Sequence, residues 1–155
     1  MANILWIDDK AEGGNKHRLG FNGLIYFIEK NGHIVDIASS GEQTEDAIHH
    51  LEKYDLILLD IIMDSLPSAK ESMQQFGGFD TLEILANYHS ETPIIILTVM
   101  SRQMISDEAR RRNIDLEQIG VKEILRKGPI LPSELARIVE ILIAKSKITH
   151  KEGVK

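Results

Sequence analysis

Five short apolar runs, separated by stretches with helical spacing, constrain this chain's fold more than any other feature. They are Ile4-Leu-Trp-Ile7, Ile34 to Ala38, Leu56-Ile-Leu-Leu59, Ile94-Ile-Ile-Leu97 and Ile124-Leu125. Several are continuous rather than alternating, the pattern of strands buried on both faces, as in a parallel sheet covered by helices. Between them, Phe21, Leu24, Ile25 and Ile28 follow i, i+3, i+4, i+7, and Asn31-Gly32 supplies a stop. Thr44, Ala47, Ile48 and Leu51 repeat the pattern after a capping box from Ser40 to Gln43. Phe79, Leu82 and Ala86 mark a third helix, and Ile105 to Arg112 a fourth. Leu135, Ile138, Val139 and Leu142 mark a fifth, opened by Pro132. Five strand–helix units in succession imply right-handed crossovers and a doubly wound α/β domain. With five parallel strands, the flavodoxin-like order 2-1-3-4-5 is expected.

Three connections exceed what such a fold requires: residues 10–20, 65–77 and 99–119. Long loops in compact domains tend to be functional or mobile. The polar residues from Lys145 onward are expected to fray. At 155 residues the chain suits one domain with a real core. Its net charge of −6 argues against binding nucleic acid or anionic lipid by bulk electrostatics. The absence of cysteine excludes disulfides, thiolate metal sites and a cysteine nucleophile. No apolar run reaches the roughly 18–20 residues of a membrane span, and a cytoplasmic location is expected.

The informative polar residues stand where the strands end. Asp8 and Asp9 close the first run, Asp60 the third and Thr98 the fourth, and Lys127 follows the fifth. Open parallel sheets bind ligands beyond the carboxyl ends of their strands, at the switch point between strands 1 and 3. The expected fold therefore gathers three carboxylates, a hydroxyl and an ammonium. Clustered carboxylates raise one another's pKa unless a cation intervenes. Carboxylate oxygens plus water are the ligand set of Mg²⁺, which shares its remaining positions with phosphate. Lys127 and Thr98 can serve phosphoryl oxygens as point charge and hydrogen-bond donor. The set reads as a phosphoryl-transfer site with Asp60 as nucleophile. Any one of these residues has an ordinary reading as a cap or turn residue. Five of them at the right strand ends make coincidence the weaker account.

The sequence resembles the receiver domain of bacterial two-component response regulators, of the chemotaxis-type stand-alone kind, over roughly Asn3 to Ala144. The resemblance rests on Asp8-Asp9 after an apolar strand, Asp60 with Met63 three residues later, Gly78 opening the third helix, Thr98 after Ile-Ile-Ile-Leu, and Lys127 seven residues after Gly120. It implies a receiver domain over residues 1–145 with a tail at 146–155. It implies that Asp60 takes a phosphoryl group from a histidine kinase or phosphotransfer protein and so controls an output protein. Asp9 would ligate Mg²⁺ directly, Asp8 directly or through water, with Asp60 and the backbone carbonyl of Ile62 completing the protein ligands. Lys127 would pair with the acceptor or its phosphoryl group. Thr98 would swing toward the phosphoryl oxygen and couple the site to the face of the fourth helix, fifth strand and fifth helix. The chain would be a phosphoacceptor rather than an enzyme, with at most slow self-dephosphorylation and homodimerisation on activation as an option.

Departures from the family pattern are equally legible. The aromatic-switch position on the fifth strand is Ile124, so the rotamer switch is expected to be absent or altered. Asp64 replaces Pro after Met63, Gly128 separates Lys127 from Pro129, and Val99, where Ala or Gly is usual, would narrow access to Asp60. Ile62 and Met100, expected at the pocket rim, cannot hydrogen-bond an attacking water, which points to a long-lived aspartyl phosphate. His49-His50 reads as surface rather than a metal site, and Arg110-Arg111-Arg112 as a solvated helix face. Gly13-Gly14 lacks the context of a nucleotide loop, and Trp6 reads as core. Two other functions stay open: a phosphorylation-independent receiver-like scaffold for protein binding, and a magnesium-dependent phosphatase. The phosphatase reading is disfavoured by Ile62, where such enzymes place an acid/base Asp.

Overall fold

The computed structural model of the chain describes residues 1–9, 21–61, 77–88 and 90–152. In chain order these form β1 (Asn3–Ile7), α1 (Phe21–Lys30), β2 (Ile34–Ala38), α2 (Gly41–Ile48), β3 (Leu56–Leu59), α3 (Gly77–Tyr88), β4 (Ile94–Thr98), α4 (Arg102–Arg111), α5 (Leu116–Ile119), β5 (Val121–Arg126) and α6 (Pro132–Glu152). The five strands make one parallel sheet in the order β2-β1-β3-β4-β5. This is the expected doubly wound topology. The central strands are buried along their length, as their unbroken apolar runs require.

Side-chain alternation along the strands divides the core in two. Leu5, Ile7, Ile57, Leu59, Ile94 and Ile96 face α2, α3 and α4, where Ile48, Phe79, Leu82, Ile105 and Ala109 meet them. Ile4, Trp6, Leu56, Leu58, Ile95 and Leu97 face α1 and α6, against Leu24, Ile28, Leu135 and Val139. Each fully buried Leu or Ile contributes roughly 1.5–3 kcal/mol. β5 is one of the two edge strands, half-buried, and its pairing with β4 shifts register between Ile94 and Ile95.

Local signals operate largely as written in the sequence. Ser40 caps α2 by accepting from the Gln43 N–H, but the Gln43 side chain returns to the Ser39 N–H rather than to Ser40. Gly32 ends α1 at φ +89°, where only glycine is unstrained. Two expectations need correcting. The connection at 99–119 carries the expected fourth helix, but that helix starts three residues earlier and a further short helix follows it. Ser101 caps α4 and Asp115 caps the short α5, which ends in Gly120 at φ +110°. α6 runs to Glu152, past the point where fraying was expected, because each added residue extends a helix already nucleated on the core. The loops at 10–20 and 65–77 lie outside the described residues, apart from Gly77, which opens α3.

The arginine triplet also needs correcting. Arg110 and Arg111 are exposed, whereas the Arg112 side chain is only 3 % exposed. Its guanidinium lies over the Phe79 ring at 5.1 Å and pairs with buried Asp80 at 3.2 Å and with Glu108 at 2.8 Å. The end of α4 is thereby tied to the start of α3. The Arg111 hydrogen bond holds the Glu108 carboxyl down at about 2, against burial and with help from Arg112. A carboxyl with a depressed folded pKa stabilises the fold above its unfolded value, and that stability is lost as pH falls through the folded value. Glu108→Gln should therefore lower stability at pH 7 by about 1–2 kcal/mol, as a hydrogen bond to a buried charge is weakened. The gap from wild type should close between pH 4.5 and about 2, measured by urea denaturation across that range.

Candidate functional site

Register alone brings the carboxylates together. Ile7 of β1 lies opposite Leu59 of β3, so Asp8 and Asp60, the next residues, leave the sheet side by side. The Asp60 N–H donates to the Ile7 carbonyl and the Asp8 N–H to the Ala38 carbonyl, extending the ladder one step past each strand. Both side chains are buried. Asp9 follows, partly exposed, and oxygens of Asp8, Asp9 and Asp60 all lie within 4.8 Å of one another. This trio is the metal-competent acidic cluster among the described residues.

Lys127 arrives from the far side of the sheet. Its N–H donates to the Thr98 carbonyl, which anchors it one residue past β5. Its ammonium then reaches back to Asp60 at 2.9 Å and to Asp8. Burial acts to lower the Lys127 pKa, but the Asp8 and Asp60 carboxylates outweigh it and the net shift is upward. The group is a cation across the working range of pH. Thr98 is fully buried at the end of β4, and its hydroxyl accepts from the Met100 N–H at 3.4 Å.

The donor set suits a hard divalent cation. Three carboxylates supply oxygen ligands only, which fits Mg²⁺ and gives soft metals no thiolate or imidazole. Lys127 engages Oδ2 of both Asp8 and Asp60.

The start of α3 packs directly behind the site. A Cβ built on Gly78 would stand 2.4 Å from both the Asp60 carbonyl and the Ile61 Cα. The Gly78 N–H donates to the Ile61 carbonyl at 3.1 Å. Glycine is needed here for close approach of two backbones.

The other expected positions fall as follows. Asp8, Asp9, Asp60, Thr98 and Lys127 converge at one end of the sheet. Ile62, Met63 and Asp64 lie outside the described residues. Ile124 is half-buried on β5 against the α4-side core. Met100, expected at the rim, is instead buried in that core with Ile105. The turn into α4 folds it under, which removes it from the argument for slow hydrolysis. Val99 is 52 % exposed. Every peptide bond among the described residues is trans, including that before Gly128. His49 bonds the Tyr88 hydroxyl and His50 lies near Glu52, both at the surface.

Sequence reasoning missed two arginines beside the site, Arg102 and Arg126, which donate to the Ile124 and Val99 carbonyls. Strand parity was the available signal, since Arg126 shares a face with Ile124.

Comparison with known proteins adds the following. The model of the response regulator receiver domain matches residues 15–140. NtrX from Brucella abortus superposes with a TM-score of 0.67 at 19 % identity, covering 98 % of this chain and 29 % of that one. The chain thus spans under a third of that relative's length. A CheY-like receiver domain protein from Methanospirillum hungatei gives 0.65 at 18 % identity, covering 96 % and 98 %. A receiver domain protein from Clostridium thermocellum gives 0.64 at 22 %, covering 96 % and 99 %. At these identities the structures speak for the fold alone. No curated protein sequence matches.

Gly78→Ala should cost about 1–3 kcal/mol or more, because the clash is with backbone. Gly128→Ala, with nothing within 4 Å of the added carbon, should stay within roughly 0.5 kcal/mol of wild type. Urea midpoints compare the two, and amide shifts of Asp60 and Ile61 should move in the first variant only.

Proposed function

The chain belongs to the response regulator receiver domain family, and from that premise we propose that Asp60 is its phosphoacceptor. The observation that carries the reading is the Lys127 ammonium bridging Asp60 and Asp8 where β1 and β3 end, with Asp9 within reach.

In this reading an Asp60 carboxylate oxygen attacks the phosphorus of a donor phosphohistidine. The O–P bond forms as the N–P bond breaks, and the imidazole departs with the bonding pair. Lys127, charged and anchored to the Thr98 carbonyl, holds the acceptor in place and then neutralises a phosphoryl oxygen. The Thr98 hydroxyl donates to another of these oxygens. Burial of Asp8, Asp60 and Thr98 keeps bulk water from the acyl phosphate and strengthens each charge–charge contact. Asp8, Asp9, Asp60 and the Ile62 carbonyl would hold Mg²⁺, which supplies positive charge to the carboxylates and the incoming phosphoryl group.

The donor is a histidine kinase or phosphotransfer protein, as two-component chemistry implies, and the receiver unit is residues 1–145, followed by the segment 146–155. Output runs through a partner protein, with self-association on activation as one form it can take. Within the described residues no helix is long and apolar enough to cross a membrane. A cytoplasmic site of action matches a kinase donor. The protein is a switch rather than an enzyme acting on other substrates: added phosphoryl charge favours the arrangement that places Thr98 and Lys127 around it.

Incubation with acetyl phosphate and Mg²⁺ should add one phosphoryl group to the wild type and none to Asp60→Asn, read by intact mass. Amide exchange should then slow around Thr98 and Lys127 in the wild type alone. Equal labelling of both proteins, or of neither, would remove Asp60 from this role and favour a phosphorylation-independent scaffold.

A further inference from the structure

Two arginines close the seam between the β4–α4 turn and the edge strand, one from each side. Arg102, the first residue of α4, sends its guanidinium to the Ile124 carbonyl of β5 at 3.2 Å. Arg126, the last residue of β5, sends its own to the Val99 carbonyl in the turn, a longer contact of 3.5 Å. Both side chains are exposed, so neither bond is required to bury a charge. We propose that Arg102 and Arg126 form a clasp that holds the β4–α4 turn against β5 and so sets the cost of moving Thr98 toward a phosphoryl group on Asp60. The proposal rests on Asp60 being the phosphoacceptor.

The chemistry of the seam supports the assignment. Val99 directly follows Thr98, so its carbonyl moves with the peptide that carries the hydroxyl. The Thr98 hydroxyl is engaged with the Met100 N–H, so turn and hydroxyl are fastened as one piece. The turn is also fixed on its far side, because Ser101 caps α4 and Met100 is buried in the core. What remains adjustable is its attachment to β5, at the edge of the sheet. Edge strands leave main-chain carbonyls available to side-chain donors. At that attachment the Ile124 side chain packs on the α4-side core, and the two guanidinium groups join turn and strand through main-chain carbonyls. A bond made only in the unmodified arrangement opposes the other, and removing it shifts the equilibrium by as much as it contributed. Arg102 and Arg126 are thus positioning residues, acting on the phosphoryl site through Thr98.

The test uses the full chain carrying Arg102→Ala and Arg126→Ala together, with beryllofluoride and Mg²⁺ as the phosphoryl mimic. The double variant should bind beryllofluoride about five-fold more tightly than the wild type, equivalent to ~1 kcal/mol at the site. Before any ligand is added, its amide exchange should quicken at residues 99–104 and stay unchanged in the central strands. Arg102→Lys with Arg126→Lys should return part of the wild-type affinity, since lysine can reach one carbonyl but lacks the planar fork. Unchanged or weaker binding in the alanine variant would overturn the clasp and leave Asp60 as acceptor. Loss of protection throughout the sheet would also overturn it, as the arginines would then support the fold rather than the turn. A wild type that takes up no beryllofluoride would sink the clasp and the Asp60 reading together.

Discussion

Lys127 is the group that allows two aspartates to stand side by side in a buried corner. Asp8 and Asp60 leave adjacent strands in register, with carboxylate oxygens within 4.8 Å. At an effective dielectric near 20, two like charges at that distance repel by roughly 3–4 kcal/mol. The ammonium between them offsets that repulsion, and the same contacts keep it charged despite its burial. The arrangement works only because β5 lies two strands away and its chain end turns back across β4. Lys127 is tied there by its N–H to the Thr98 carbonyl. The acidic corner, the order of the sheet and the position of Thr98 therefore depend on one another.

The packing around that corner is tighter on one side than on the other. Behind Asp60, α3 presses its first turn onto the strand end, with no space for a β-carbon at Gly78. The α3 start is held in turn by the Asp80–Arg112–Glu108 cluster, which reaches the far end of α4. On the β5 side the contacts are exposed and polar, two guanidinium groups on main-chain carbonyls. Asp60 thus stands on the tightly packed side of the corner and the turn after Thr98 on the side with exposed contacts. On the proposed reading that division suits a switch, since elements that move are drawn from the less stable end of a fold.

How much of this was readable beforehand depended on the range of the interaction. The parallel sheet was legible because fully buried strands demand unbroken apolar runs, as in Leu56 to Leu59 and Ile94 to Leu97. The convergence of Asp8, Asp60 and Thr98 followed, because strand ends in this topology lie together. Arg112 misled, since three consecutive arginines look solvated until a helix turn places one of them over Phe79. Met100 misled for a similar reason: two residues past a strand end does not fix a direction when a turn intervenes.

By itself the sequence determined the order of elements, the burial of the central strands on both faces and the identity of the acidic residues at the strand ends. These are consequences of side-chain period and of short-range capping, which residues encode locally. Only the tertiary structure decided that Lys127 takes Asp8 as well as Asp60 and that Arg112 takes Asp80. Lys127 meets Asp8 across 119 residues of chain and Arg112 meets Asp80 across 32. No local pattern specifies such partners, because the distances that select them arise only once the sheet has assembled and the helices have packed on its two faces.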